Sequence, residues 1–210
     1  MHEYHKIKSV FKRDDNTHYF LEGSWSVPEF NYLKDNEWVF TEKIDGTNVR
    51  IIWNPEASDN KLKFMGKTKN AQMQVSLYDK LNSLFTYDKF QTLYPDIPMC
   101  LYGEGYGVKI QTGGKYIPDG VNFILFDCFI DKLWLRRDSI ENIAEKLEIS
   151  VVPIVGRGTI NDAVNLVKNG LTSTFGNFQA EGLVLRPCTE LRDRRGNRII
   201  TKLKHKDFNL

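Results

Sequence analysis

Lys43-Ile44-Asp45-Gly46 sets a lysine at the end of a plausible strand, two residues ahead of an Asp-Gly pair. A tight turn explains the pair. It does not explain the lysine. Far along the chain, Ile199–Lys204 presents two more lysines, Lys202 and Lys204, on one strand face, because alternate residues share a face. Glu104 stands between glycines in Leu101–Gly107, and Glu181 opens Glu181–Pro187. Neither carboxylate has an obvious pairing need in its strand. From Arg186 to Lys206 lie Arg192, Arg194, Arg195, Arg198, Lys202 and Lys204, offset only by Glu190 and Asp193. Such a basic edge suits phosphates. A solvated charged face is the other reading of the same run.

Strands must position most of these groups. Glu37–Thr41 leading into Glu42–Trp53 reads as strand, tight turn, strand, with Arg50 facing solvent or, as the alternative, contacting a 5′-phosphate. Further strands are expected at 61–68, 98–107, 122–130, 181–187 and 197–204; the fourth of these expected runs after residue 53, 181–187, carries Glu181, and Asn122–Ile130 has the β-branched and aromatic content of a buried strand. Val75, Leu77, Leu81, Leu84 and Phe85 give Gln72–Phe90 roughly helical spacing. Asp138-x-x-Glu141 resembles a capping box. Thr159-x-x-Asp162 opens another short helix through Val167, with Gly170 suited to end it. The class is α+β, antiparallel sheets flanked by helices. With no repeat, linker or low-complexity tract, residues 1–210 read as one domain.

Composition narrows the setting. At 41% hydrophobic and 27% charged, the chain is ordinary for a globular protein, which argues against disorder. No apolar run is long enough to span a bilayer, and the charged start, Met1–Asp15, is no signal peptide. Cys100, Cys128 and Cys188 are far apart, odd in number and without metal spacing, as expected in a reducing, cytoplasmic compartment. A net charge of +2 does not by itself announce a nucleic-acid binder.

Six elements in fixed order carry a resemblance. Lys43-x-Asp45-Gly46 is followed by Gly66–Gln72, by Glu104 between glycines, by Phe126-Asp127 closing an aromatic strand, by Glu181, and by Lys202 with Lys204. The order resembles the covalent nucleotidyltransferases, the superfamily of ATP-dependent ligases and mRNA capping enzymes. Thr41–Asn48 followed by Gly66–Gln72 and a Lys-Leu-Lys element looks most like the RNA ligase branch that includes the phage T4 RNA ligase 2 type. The resemblance implies the nucleotidyltransferase fold, an ATP-grasp-like ligase adenylation domain.

It also implies roles. Lys43 would attack the α-phosphate of ATP and become lysyl-AMP. A lysine nucleophile must be neutral, and its reference pKa is about 10.4, which nearby cations and desolvation lower. Lys202 and Lys204 would do that and grip the α-phosphate, making them catalytic beside Lys43. Phe126 occupies the family's adenine-stacking position, with Phe123 the alternative in another register. Glu104 would take the ribose hydroxyls, and Glu181 the divalent metal, Mg²⁺ or Mn²⁺, with Glu104 as a second candidate metal carboxylate. Thr41, Glu42, Asn48 and Lys67 would line the nucleotide.

Two departures matter. DNA ligases carry arginine five residues after the lysine, where this chain has Asn48, in keeping with the RNA ligase branch. Many relatives also carry arginine where this chain has Lys67, and lysine lacks the bidentate fork. The chain stops six residues after Lys204, which leads to the expectation of a bare catalytic core without an OB domain, its grip on RNA supplied by itself or a partner protein. The expected activity is sealing of 5′-phosphate and 3′-hydroxyl RNA ends, nicked or duplex, with no membrane partner. Phage-encoded enzymes acting in a bacterial host belong to the same branch. The alternatives are a capping-type guanylyltransferase using GTP and a non-catalytic core that binds RNA ends or a nucleotide.

Overall fold

The computed structural model describes residues 3–68 and 71–209. The chain divides into two compact units. One holds Asp45–Val152 with the N-terminal residues through Tyr4; the other holds His5–Ile44 and the chain from Pro153. Each has its own sheet and its own core, in an α+β arrangement.

In the second unit a five-stranded sheet runs in the order Lys8–Ser9, Thr201–Lys204, Gly182–Pro187, Trp38–Glu42, Ile154–Gly158. All its pairings are antiparallel except Lys8–Ser9 on Thr201–Lys204. Alternation sorts the side chains. Trp38, Phe40, Leu183, Leu185 and Leu203 are buried on one face, while Thr41, Arg186, Lys202 and Lys204 sit half-buried on the other. The buried face packs against helix Ile160–Lys168 through Ile160, Ala163, Val164 and Val167. That helix starts as expected. Thr159 and Asp162 form a reciprocal capping box. Residues 1–36, which carry no motif, supply Val10, Phe11, Phe20, Phe30 and Leu33 to this core.

In the first unit the sheet order is Ser150–Val151, Val121–Ile130, Met99–Gly107, Thr47–Trp53, Leu62–Gly66, with Leu133–Trp134 also on Val121–Ile130. Val49, Ile51, Trp53, Leu101, Phe123 and Leu125 form its buried face under helices Val75–Leu84, Tyr87–Leu93 and Arg137–Leu147. Among the described residues no helix is long and apolar enough to cross a membrane.

Four local expectations change. Trp38–Glu42 and Thr47–Trp53 are not a hairpin: they belong to different sheets, and Lys43–Gly46 is the connection between them. The Gln72–Phe90 helix is two helices. Phe85 turns into the core at 1% exposure, and Thr86 then caps a new helix by accepting from the Lys89 amide at 3.3 Å. Asp138 is not an N-cap. The helix begins at Arg137, and Asp138 lies in its first turn, where its charge complements the helix dipole. Arg50 is 2% exposed rather than solvent-facing: it lies in an interior strand of its sheet and its side chain is folded onto the Gly66 carbonyl.

Candidate functional site

The second unit gathers Lys43, Glu181 and Lys204. The Lys43 amide donates to the Gly182 carbonyl at 3.0 Å, one bond beyond the Trp38–Glu42 strand, so the backbone at Lys43 is still held by the sheet. Lys204 pairs across from Gly182, and the His205 amide donates to the Glu181 carbonyl at 3.0 Å. Strand ends from three parts of the chain therefore meet. Their side chains meet as well. Lys43 Nζ donates to Glu181 Oε2 at 2.5 Å, and Lys204 Nζ lies 2.5 Å from Glu181 Oε1. One carboxylate thus holds two ammonium groups, in a setting where its side chain is only 11% exposed. Such charge-assisted bonds are stronger than neutral ones. Gly182 is required beside Glu181: a Cβ there would collide with the Leu203 carbonyl and stand 2.8 Å from the Lys204 Cα.

Alternation places Lys202 in one row with Val184 and Thr41, on the face that carries Lys204. Thr41 Oγ1 donates to the Val184 carbonyl at 3.2 Å. Glu42 points to the opposite, buried face and is 1% exposed. Its carboxylate accepts from Ser173 Oγ at 2.6 Å, the Thr174 amide at 2.9 Å and Thr174 Oγ1 at 2.7 Å. What Glu42 can offer a ligand on the Lys43 face is its backbone. Nothing in the sequence flagged Ser173 or Thr174, since hydroxyls in a loop carry no period.

The first unit holds Asn48, Lys67, Glu104 and Phe126. Asn48 stands directly across the ladder from Glu104, and Arg50 across from Tyr102. These four share the face opposite Val49, Ile51 and Leu101. The glycines beside Glu104 serve the other face. A Cβ at Gly103 would strike the Phe123 ring, and one at Gly105 would stand 2.5 Å from Leu77. They make room for the core rather than for a ligand. Gly46 is needed for a related reason, since its Cβ would meet the Gly105 carbonyl and, at 2.9 Å, Glu104 Cγ. Asp45 is held within this unit, its carboxylate by the Thr112 hydroxyl and its amide by the Tyr116 hydroxyl at 3.1 Å.

A register shift separates Phe126 from Phe123. Tyr102 pairs with Asp127 and Gly103 with Leu125, so Phe126 is the extra residue of a β-bulge. Phe123 and Leu125 belong to the core; Phe126 belongs to neither core and is half-buried. Tyr4 covers it edge-on, with ring centroids 5.1 Å apart, and donates its hydroxyl to the fully buried Asp127 at 2.6 Å. Tyr102 and Trp134 complete the cluster around Tyr4, at 5.1 and 5.5 Å. Tyr4 escaped notice because its stretch, Met1–Lys6, has no motif.

Lys67 is exposed just past Leu62–Gly66; Lys69 and Asn70, in the same expected motif, lie outside the described residues. Arg50 Nε donates to the Gly66 carbonyl at 3.0 Å, the peptide from which Lys67 departs. Among the described residues, Arg50 Nη2 and Asn48 Oδ1 are buried without hydrogen-bond partners.

Cys100 and Cys128 are buried, and Cys188 is exposed. Burial pushes the Cys100 thiol up to about 11 and the Cys128 thiol higher still; Cys188 is also raised, chiefly by burial. Among the described residues no three His, Cys, Asp or Glu side chains are grouped to hold a metal. A single carboxylate such as Glu181 still suits a hard ion that keeps waters and takes substrate phosphates as its other ligands.

A family model described as RNA ligase matches residues 36–204. Among solved structures, a Naegleria gruberi RNA ligase lysine-to-alanine variant with ATP and Mn superposes with TM-score 0.69 at 16% identity, over 97% of this chain and 58% of that one. The same organism's RNA ligase with PPi gives 0.67 at 17% identity, over 95% and 54%. A glutamate-to-alanine variant with AMP and Mn gives 0.66 at 17% identity, over 86% and 55%. At these identities the likeness speaks for the fold. The chain spans a little over half the length of each of those structures.

Proposed function

This chain belongs to the RNA ligase family, and from that premise we propose that it is an ATP-dependent RNA ligase of the phage T4 RNA ligase 2-like branch. The two units serve together as one adenylylation domain, a reading supported by a family match that runs through both. The observation that carries the proposal is the pair of lysines on Glu181. A lone surface lysine needs no such company. An amine meant for the phosphorus of a nucleotide needs cations beside it and a carboxylate that can let it go.

In the first step Lys43 Nζ, having lost a proton to solvent, attacks the α-phosphorus of ATP. A P–N bond forms and the bond to pyrophosphate breaks. Lys204 and Lys202 take up phosphate charge that Glu181 no longer balances. In the second step a 5′-phosphate oxygen of RNA displaces the Lys43 amine and receives AMP. In the third an RNA 3′-hydroxyl attacks that phosphate, AMP leaves, and the strand is sealed. Positioning and charge stabilisation carry all three steps. Mg²⁺ or Mn²⁺, when bound, would neutralise phosphate charge; Glu181 is the carboxylate to hold it, with Glu104 a second candidate. Phe126 stacks the adenine, Glu104 takes the ribose hydroxyls, and Asn48 and Lys67 meet polar parts of the nucleotide. Thr41 and Glu42 line it with backbone.

Incubation with α-labelled ATP or, separately, GTP, followed by mass spectrometry of the intact protein, tests the reading. An added AMP on Lys43 supports it. Added GMP instead would favour a capping-type guanylyltransferase, and no adduct with either would favour a non-catalytic binding core.

A further inference from the structure

Four arginines of the basic C-terminal edge separate into two kinds. The segment between Pro187 and Thr201 folds back on itself, with Arg192 bridged to Arg198. Arg198 is turned inward. Its side chain is 4% exposed and donates to Glu190 at 2.8 Å, while Arg192 stands 3.7 Å from the same carboxylate. Asp193 is spent on the turn itself, accepting from the Arg195 and Asn197 amides at 2.8 Å each and from Asn197 Nδ2 at 2.9 Å. Gly196, at φ +79, closes the turn in the left-handed region. Both acidic residues of the loop are thus used internally. Arg194 and Arg195 are left exposed at the tip, with no ion-pair partner among the described residues.

We propose that this hairpin is an RNA-gripping arm in which Arg194 and Arg195 contact backbone phosphates away from the reacting ends. The inference rests on the RNA ligase reading above. A turn needs Asp193 and Gly196; it does not need two adjacent guanidinium groups, and although the Asp193 carboxylate feels the charge of Arg195, one carboxylate leaves the tip with an excess of positive charge. Guanidinium matches phosphate with a fork of donors. Charges on consecutive residues fit a repeating polyanion better than one small anion. The pinned stem means little conformational entropy is lost on contact.

Position sets which phosphates are reached. Lys43 is bonded to Gly182 at one end of the Gly182–Pro187 strand, and the hairpin leaves from the other end. Five residue steps at about 3.4 Å put the root of the arm roughly 17 Å from Gly182. At about 3.4 Å per nucleotide that is roughly five nucleotides or more. The arm therefore acts on RNA length and not on the nucleotide at Lys43.

The test is a double variant, Arg194→Ser with Arg195→Ser, in the full chain, with melting temperature measured to show that it folds. Binding of nicked duplex RNA is followed by fluorescence anisotropy at several salt concentrations, with arms of about 4 or about 20 base pairs on each side of the nick. On long arms the log–log salt slope should fall by about 2, near 0.9 per lost phosphate contact, and affinity at 0.15 M salt should weaken about tenfold. On short arms variant and wild type should bind alike. An unchanged slope on long arms, or equal losses on both lengths, overturns the proposal, as does wild-type protein that binds no RNA. Binding decides the arm even if no AMP adduct forms, so failure of the ligase reading is seen separately, in the labelling with ATP.

Discussion

Lys43 and Glu181 are 138 residues apart in the chain and 2.5 Å apart at their charged ends. While that bond lasts, the ammonium of Lys43 has no lone pair to offer. On the proposed reading Glu181 is a latch on Lys43, and its second hold on Lys204 keeps it in place. Under the ligase reading, nucleotide phosphates compete for both lysines, and whatever draws Glu181 away frees the amine.

Lys43→Ala should abolish AMP labelling and leave the fold intact. Glu181 keeps Lys204, and a partly exposed pair contributes on the order of 1 kcal/mol or less. For a chain of this size that lowers Tm by about 4 °C or less. The same variant should still seal RNA already carrying a 5′-adenylate, where no lysine nucleophile is needed. AMP labelling of the variant would show that another residue is the nucleophile.

Phe126 and Phe123 should separate cleanly. Phe123 packs edge-on against Phe85 at 5.3 Å in the core, so Phe123→Ala should cost about 3–5 kcal/mol and lower Tm by on the order of 10 °C. Phe126→Ala, which loses its edge contact with Tyr4, should lower Tm by clearly less than Phe123→Ala but weaken ATP binding about tenfold or more, with Phe126→Leu between, since stacking on a base is worth about 1–3 kcal/mol. Calorimetric ATP affinities on folded samples check this. Equal affinity in Phe126→Ala and wild type would end the stacking role.

Strand existence was legible because β-branched and aromatic runs such as Asn122–Ile130 leave few alternatives. The order of Lys43, Glu104, Phe126, Glu181 and Lys202 was legible because each sits in a short local pattern. Partners in space were not. Nothing local pairs Lys43 with Glu181, Tyr4 with Asp127 or Glu42 with Ser173. The Lys43–Gly46 connection was read as a hairpin because Asp-Gly between apolar runs fits one, and only the sheet assignment of each strand tells otherwise. Alternation misled at Arg50, where a polar residue in a strand suggests water although this guanidinium is buried against the Gly66 carbonyl. The bulge at Phe126 is a backbone event that no residue type announces.

Arg50 should act through Lys67. Its bond to the Gly66 carbonyl fixes the peptide plane from which Lys67 leaves the strand. Arg50→Met removes that buried charge-assisted bond, at a cost of about 1.5–3 kcal/mol. It should also weaken ATP binding severalfold. In a Lys67→Ala background the same change should cost stability but little further affinity, as a double-mutant cycle would show. Equal losses of affinity in both backgrounds would mean that Arg50 does not work through Lys67.

Glu42 adjoins Lys43 but should matter for a different reason. Its carboxylate is buried and accepts three hydrogen bonds from Ser173 and Thr174, in the loop that runs directly into Glu181. It fastens the strand that leads into Lys43 to the loop that leads into Glu181. Glu42→Ala strands those donors and should cost about 3 kcal/mol, lowering Tm by about 6–12 °C. Ser173→Ala combined with Thr174→Val removes the two hydroxyl donors without touching Glu42. That double variant should reproduce part of the Tm loss, and both variants should slow AMP labelling while leaving ATP affinity within about threefold, because the buried carboxylate faces away from Lys43. The measurement is labelling rate against ATP concentration, well below each Tm. If Glu42→Ala instead loses more than about tenfold in ATP affinity while Ser173→Ala with Thr174→Val does not, the Glu42 side chain meets the nucleotide itself.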